Sequence, residues 1–321
     1  MTEKVFYEMV REEAAKSFAQ RYPNTELTLR EVTKNNGLVL TGLTVREGES
    51  NISPMLYLND YYQEHRQGKP VEEIVRNLMA AYENSKDQMV SLNPEQMDFS
   101  YEKIKDRLRV RLFYERENKE LLKDSLSAPV GCGYVLAAYM ELPMSSGPTG
   151  MIRLSRQMAD YYGYDKAQLM KDALAGSVKN DQALLNWLDM EQIMRGRIPS
   201  ENLLEKQELG ELRFLMLILT NQDKHLGSSV LFYPDIQHRI GELVGGDYFV
   251  LPSSIHEVLI LPDKGNMNTR DLVEMVKAVN ESQVKREEQL GNRVMHYRAD
   301  QDRLSVAEDL DREADKGRKG R

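Results

Sequence analysis

The sequence predicts an α+β protein built mainly from antiparallel sheets with helices packed on them. Three observations carry this. An Asn35-Asn36-Gly37 turn joins two segments of alternating apolar and polar residues, the signature of a hairpin. Short polar links separate neighbouring apolar runs in the last third, and short links favour antiparallel neighbours. Stretches with apolar residues every three or four positions lie among them and read as helices.

In chain order, Thr2 is placed to cap a first helix, in which Phe6, Val10, Ala14 and Phe18 recur every four residues. Leu27–Lys34 and Leu38–Val45 form the hairpin, and Met55–Leu58 adds a short third strand. Asn59–Arg66 and Val71–Glu83 read as helices broken at Gly68 and Pro70. Residues 101–123 are ambiguous: Leu108, Val110, Leu112 and Tyr114 alternate with Arg107, Arg109 and Arg111, yet both flanks look helical. The balance falls on a helix with an extended break. Tyr134–Leu142 is apolar enough for a central strand, Pro143–Gly150 is a loop or linker, and Met151–Leu154 is a short strand. Helices follow at Ser155–Tyr162 and Asp165–Leu174, divided at Gly163, and again at Gln182–Met194. Leu212–Thr220 and Ser228–Tyr233 read as a strand pair, Pro234–Leu243 as a helix, Tyr248–Leu261 as a hairpin and Asn268–Gln289 as a long helix.

This order suggests an N-terminal α+β region over residues 1–145 and a C-terminal α+β region over 146–298, whose last part, within the final third of the chain, runs β-β-α-β-β-α and carries the Tyr248–Leu261 hairpin. Residues 299–321 are mostly charged and read as a disordered tail, with a short helix capped by Ser305 and Glu308 as the one element within it.

Composition narrows the function. Of 321 residues, 41% are hydrophobic and 29% charged, an ordinary globular balance. The formal charge of −8 opposes nonspecific binding to nucleic acid or anionic membranes. A single cysteine, Cys132, excludes an internal disulfide framework and Cys-rich metal sites. The first twenty residues interrupt their apolar positions with charges, so they do not form a secretory signal, and no apolar run spans a bilayer. A cytoplasmic protein is expected.

The reactive-looking groups concentrate in the connection of the last hairpin, Pro252-Ser253-Ser254-Ile255-His256-Glu257. Ser254 and His256 are two apart and share a side if the segment is extended, so they are candidates for nucleophile and base, with Glu257 nearby. Ordinary turn chemistry explains the same residues more simply, because serine hydroxyls bond nearby backbone in turns. His225 beside Asp223, and His238, lack the spacing of a metal site. Cys132 between Gly131 and Gly133 has no neighbouring base and reads as a buried small residue. No phosphate-binding loop or dinucleotide fingerprint occurs, so neither a metal nor a cofactor is expected. Seventeen methionines read mainly as helix core. The alternating arginines read as a solvated face paired with the surplus acids.

Several segments together resemble a bacterial domain-of-unknown-function family common in gut Gram-positive anaerobes. They are Asp60-Tyr-Tyr-Gln-Glu64 with Gly68-Lys-Pro-Val-Glu-Glu-Ile74, Glu115-Arg-Glu-Asn-Lys-Glu-Leu-Leu122, Leu219-Thr-Asn221 leading to Gly227 and Leu231, and Leu251-Pro-Ser-Ser-Ile-His-Glu257. The last is the most specific. The resemblance covers about residues 3 to 298. Members often lie near mobile-element genes, which implies an accessory role and no chemistry. After Pro129, similar sequences tend to carry an aspartate where this chain reads Cys132-Gly133-Tyr134. The expectation is therefore a non-catalytic protein that binds an unknown protein partner. A hydrolase using Ser254 and His256, and a small-ligand sensor, stand as alternatives.

Overall fold

A computed structural model describes residues 1–48, 53–89, 98–142, 150–188, 201–209 and 216–307. The chain divides into two compact units, Met1–Phe99 with Glu141–Met151, and Ser100–Met140 with the chain from Ile152 onward. The elements confirm an α+β architecture with antiparallel sheets.

In the first unit, α1 (Glu3–Arg21) presents Phe6, Val10, Ala14 and Phe18, all fully buried. Their four-residue spacing puts them on one helix face. Thr2 sits at the N-cap, but its hydroxyl makes no cap bond; its carbonyl accepts from the Phe6 N–H at 3.0 Å. β1 (Thr25–Thr33) pairs antiparallel with β2 (Val39–Glu47), from Thr25 opposite Glu47 to Thr33 opposite Val39. Asn36 and Gly37 close the turn with φ of 59° and 65°, the left-handed region that Asn and Gly tolerate. β3 (Met55–Tyr57) pairs with the other edge of β2. α2 (Asn59–Arg66) and α3 (Val71–Met89) follow, and Ile74, Leu78 and Tyr82 of α3 join Leu43 and Val45 of β2 in the core beneath α1.

The second unit begins with α4 (Tyr101–Ile104), β4 (Leu108–Tyr114), α5 (Lys119–Leu122), β5 (Ser127–Gly131) and β6 (Tyr134–Leu142), whose last two residues fall within the first unit's bounds, as do the first two of β7 (Gly150–Arg153), which follows in the chain. β6 lies between β4 and β5, as its apolar run predicts, and also pairs with β7. α6 (Arg156–Tyr161) and α7 (Lys166–Asn180) are capped by the Ser155 and Asp165 side chains. The remaining elements are β8 (Ala183–Trp187), β9 (Leu217–Asn221), α8 (Ile236–Val244), β10 (Tyr248–Pro252), β11 (Val258–Pro262), α9 (Thr269–Ser282), β12 (Met295–Arg298) and β13 (Arg303–Val306). Six of these strands form one antiparallel sheet in the order β13-β12-β10-β11-β9-β8. Phe249, Leu251 and Leu261 of this sheet pack with Leu272, Val273 and Val276 of α9.

Several elements differ from the sequence reading. Residues 108–114 are a strand, buried at every position, flanked by single helical turns. The alternation there was the informative signal, and Arg109 and Arg111 are buried instead of solvated. Gln182–Met194 is not a helix over its described part, because Ala183–Trp187 pairs with β9; a short apolar run does not reveal its period. Gly227–Phe232 is a 3-10 helix, not a strand, so β9 pairs with β8 and β11 instead. The long helix stops at Ser282, and Asn268 caps it by accepting from the Arg270 N–H at 2.9 Å.

The reading of residues 299–321 as a disordered tail fails for its first part. β13 pairs with β12, Ser305 lies in that strand, and Ala307 is fully buried with its N–H on the Val294 carbonyl at 3.0 Å. The Tyr297 hydroxyl donates to Asp302 at 2.5 Å, so charged residues here serve a turn. Glu308 and the rest of the tail lie outside the described residues, as do residues 143–149, Ile193 and Phe214. Ser100–Met140 also clusters with the second unit, not with the N-terminal half. The reason is local: the Val110 N–H donates to the Ser177 hydroxyl of α7 at 2.8 Å, and Arg111 pairs with Asp181 at the end of that helix.

Candidate functional site

Strand register gathers the polar residues at one end of the six-stranded sheet. Ala183 lies opposite Asn221, Leu219 opposite Val258, and Pro252 opposite Val258. The residues just before β8, just after β9 and between β10 and β11 therefore meet there. They include Asp181, His225, Ser254, His256 and Glu257.

The β10–β11 connection is a dense hydrogen-bonded knot. Ser253 and Ser254 both donate to Glu257 Oε1, at 2.9 and 2.8 Å. Ser254 Oγ in turn accepts from the His256 backbone N–H at 3.0 Å, and the Ser254 N–H donates to the Glu257 carbonyl at 3.1 Å. The Ile255 N–H reaches the Glu288 carbonyl at 2.8 Å. Ser254 is buried. Such side-chain-to-backbone bonds are the ordinary means of fixing a turn.

A second turn, 221–228, is latched onto this knot. The His256 carbonyl accepts from the Gly227 N–H at 3.0 Å and the Thr220 hydroxyl at 2.8 Å. The Ile255 carbonyl accepts from the Ser228 hydroxyl at 2.9 Å. The His256 ring joins in, with Nδ1 accepting from the Leu226 N–H at 3.1 Å. A neutral imidazole that accepts at Nδ1 carries its proton on Nε2. Asn221 closes the loop on itself, accepting from the His225 N–H at 3.1 Å and donating to its carbonyl at 2.9 Å. Gly227 is required by crowding: a Cβ there would lie 2.4 Å from Thr220 Oγ1, 2.5 Å from the Asn221 nitrogen and 2.8 Å from the His256 oxygen.

The His225 and His256 rings lie 5.1 Å apart. His225 is exposed, yet titrates below the usual histidine range, first through partial desolvation of its ring, then through repulsion from His256 and Arg111. Beside it, Arg111 Nη1 meets Asp181 Oδ2 at 2.8 Å, and Arg109 Nε lies 3.8 Å from Asp181 Oδ1. All three side chains are buried. The sequence reading missed this cluster. Its signal was arginine at alternate positions of an otherwise apolar strand, and Asp181 carried no local signal at all.

The arrangement brings Ser254, His256 and Glu257 together but does not align them for nucleophilic attack. A serine nucleophile directs its proton at a base. Here the Ser254 proton goes to Glu257, and the hydrogen bond of the His256 ring is to Leu226. His238 lies elsewhere, on α8, facing Asp302 at 3.2 Å. Cys132 is half-exposed, not buried. It sits at the β5–β6 turn with φ of 54°, and its thiol faces the Leu304 carbonyl at 3.8 Å. Among the described residues, no three His, Cys, Asp or Glu side chains converge as a metal site requires.

Fold and site together define a class: an α+β chain of two units whose most conspicuous polar turn is a structural latch between strands. Within that class, the chain belongs to a family of unknown function, DUF5688, whose model matches residues 3–299. No curated protein and no solved structure matches it. No helix among the described residues is long and apolar enough to cross a membrane.

Proposed function

We propose that this protein works by binding a protein partner and performs no chemistry of its own. The observation that carries the reading is a group of exposed tyrosines at the end of α6. Tyr161 is 82% exposed and Tyr162 41% exposed. Their rings meet edge to face with centroids 4.9 Å apart, and Tyr162 stacks on Tyr164 at 5.5 Å. Tyr164 in turn rests against Tyr101, whose hydroxyl donates to Asp172 at 2.5 Å. Rigid, amphipathic tyrosines held at a surface are characteristic of protein interfaces, where they supply contact area with little loss of side-chain freedom.

Against the hydrolase alternative speaks the latch itself, since the Ser254 proton is committed to Glu257 and His256 Nδ1 to backbone. The family resemblance supplies the setting: an accessory role linked to mobile genetic elements, in the cytoplasm of gut Gram-positive anaerobes. The test is parallel affinity capture from such a host with wild type and a Tyr161→Ala/Tyr162→Ala double variant, read by mass spectrometry, with melting curves for both. One protein enriched by wild type and lost with a variant that melts normally supports the reading. Equal capture by both, or turnover of an ester, amide or phosphoester by wild type, overturns it.

A further inference from the structure

Among the described residues no strand pairs with the outer edge of β1, and that edge is self-complementary. β1 pairs with β2 without a break in register, and the bond phase is fixed at both ends: Lys34 N–H donates to the Leu38 carbonyl at 2.7 Å, and Gly48 N–H to the Asn24 carbonyl at 2.8 Å. Even-numbered residues of β1 thus spend their backbone groups on β2. The odd-numbered residues Thr25, Leu27, Leu29, Glu31 and Thr33 turn theirs outward. Of these outward groups, the Thr25 N–H is bonded, to the Tyr22 carbonyl at 3.2 Å. None of the others is hydrogen-bonded among the described residues. A long edge of this kind is a template for another strand, and proteins usually blunt it with proline, lysine or a bulge. β1 has none of the three, and the charges it does carry, Glu26, Arg30 and Glu31, are of both signs, so they oppose an arbitrary strand more than one that sets Glu26 and Arg30 each against its opposite.

We propose that a second copy of this chain pairs antiparallel with β1, joining two three-stranded sheets into one across a two-fold axis centred on Thr28. That centre sets outward-facing residue against outward-facing residue, as the hydrogen-bond phase demands. Leu27 then lies opposite Leu29 of the second copy, twice over. Both leucines are half-buried against the first unit's core and would be covered further. On the other face, Glu26 lies opposite Arg30 of the second copy, again twice. Glu26 and Arg30 are exposed, and Glu26 already meets Arg46 on β2. Arg30 has no ion-pair partner among the described residues. Opposite charges directly across an antiparallel pair stabilise it, and like charges oppose it. The reciprocity of these pairs under a two-fold axis favours a second copy over an unrelated strand. The contact is one strand wide on each side, at the small end of interface sizes, so the association is expected to be reversible.

Sedimentation equilibrium of the full chain tests this, with melting curves for each variant. Wild type should show a concentration-dependent monomer–dimer equilibrium. Arg30→Glu should weaken it by about tenfold or more, the equivalent of losing about 1.4 kcal/mol. Glu26→Arg should weaken it similarly, and a mixture of the two variants should restore dimers, since each charge then faces its opposite. Glu31→Pro removes an outward N–H without touching the β1–β2 ladder and should also abolish dimers. Amide exchange at Leu27 and Leu29 should slow as concentration rises. A wild type that stays monomeric at all concentrations overturns the proposal. So does a dimer indifferent to Arg30→Glu and Glu31→Pro in variants that melt normally, or exchange at Leu27 and Leu29 that ignores concentration.

Discussion

Replacing Gly227 by alanine perturbs the latch at its tightest point. A Cβ at this position meets Thr220 Oγ1 at 2.4 Å, the Asn221 nitrogen at 2.5 Å and the His256 oxygen at 2.8 Å. Two of the three are backbone atoms and have no rotamer to escape into. Relieving the overlap means moving the 221–228 turn away from the 253–257 turn. Overpacking of this sort costs about 1–3 kcal/mol. The same movement stretches the bonds that the Gly227 N–H and the Thr220 hydroxyl make to the His256 carbonyl, worth about 1 kcal/mol each. The expected loss is therefore about 3–5 kcal/mol if both bonds are lost. Urea unfolding, followed by circular dichroism and fitted with a common slope, measures it. A loss below about 0.5 kcal/mol, the range of ordinary surface changes, would refute the claim that the two turns are packed against each other.

Other outcomes follow from the same geometry. Asp181→Ala removes the carboxylate that buried Arg109 and Arg111 approach, and should destabilise by about 3–5 kcal/mol in denaturant unfolding. Leu217→Ala, at a fully buried position of β9, should cost about 2–5 kcal/mol by the same method. A chain ending at Arg298 loses β13 and the Tyr297–Asp302 bond, and should melt well below full length; equal melting would show that the strand contributes nothing. The pH response has a definite sign. The folded state holds His225 below its unfolded range, so its contribution is complete above about pH 6.5 and is lost as pH falls through the folded value. His225→Gln should flatten the decline in stability between about pH 7 and pH 5.

Much of the fold was legible because its signals were local. The α1 stripe of Phe6, Val10, Ala14 and Phe18, the Asn36-Gly37 turn and the Tyr248–Leu261 hairpin each announce themselves within a few residues. Misreadings arose where a short run was buried on all sides. Ala183–Trp187 and Gly227–Phe232 show no period, because tertiary partners above and below remove the contrast between faces. β13 was hidden differently: its charges suggested disorder, while its order comes from pairing with β12. At the site, Ser254, His256 and Glu257 were visible as turn chemistry. Their partners were not, because Leu226 and Gly227 contribute backbone N–H groups that any residue carries. The burial of Arg109 and Arg111 depends on Asp181, seventy positions from Arg111, so no local pattern could have shown it.

The central claim is that the 253–257 turn is a structural latch, and Ser254→Ala tests it most directly. The substitution removes one donor to Glu257 and the acceptor of the His256 N–H. Equilibrium unfolding of the variant, run beside a screen of ester, amide and phosphoester substrates, should show a loss of about 1–3 kcal/mol and no turnover in either protein. Stability unchanged within about 0.5 kcal/mol, together with wild-type turnover that the variant lacks, would contradict the account and make Ser254 a nucleophile.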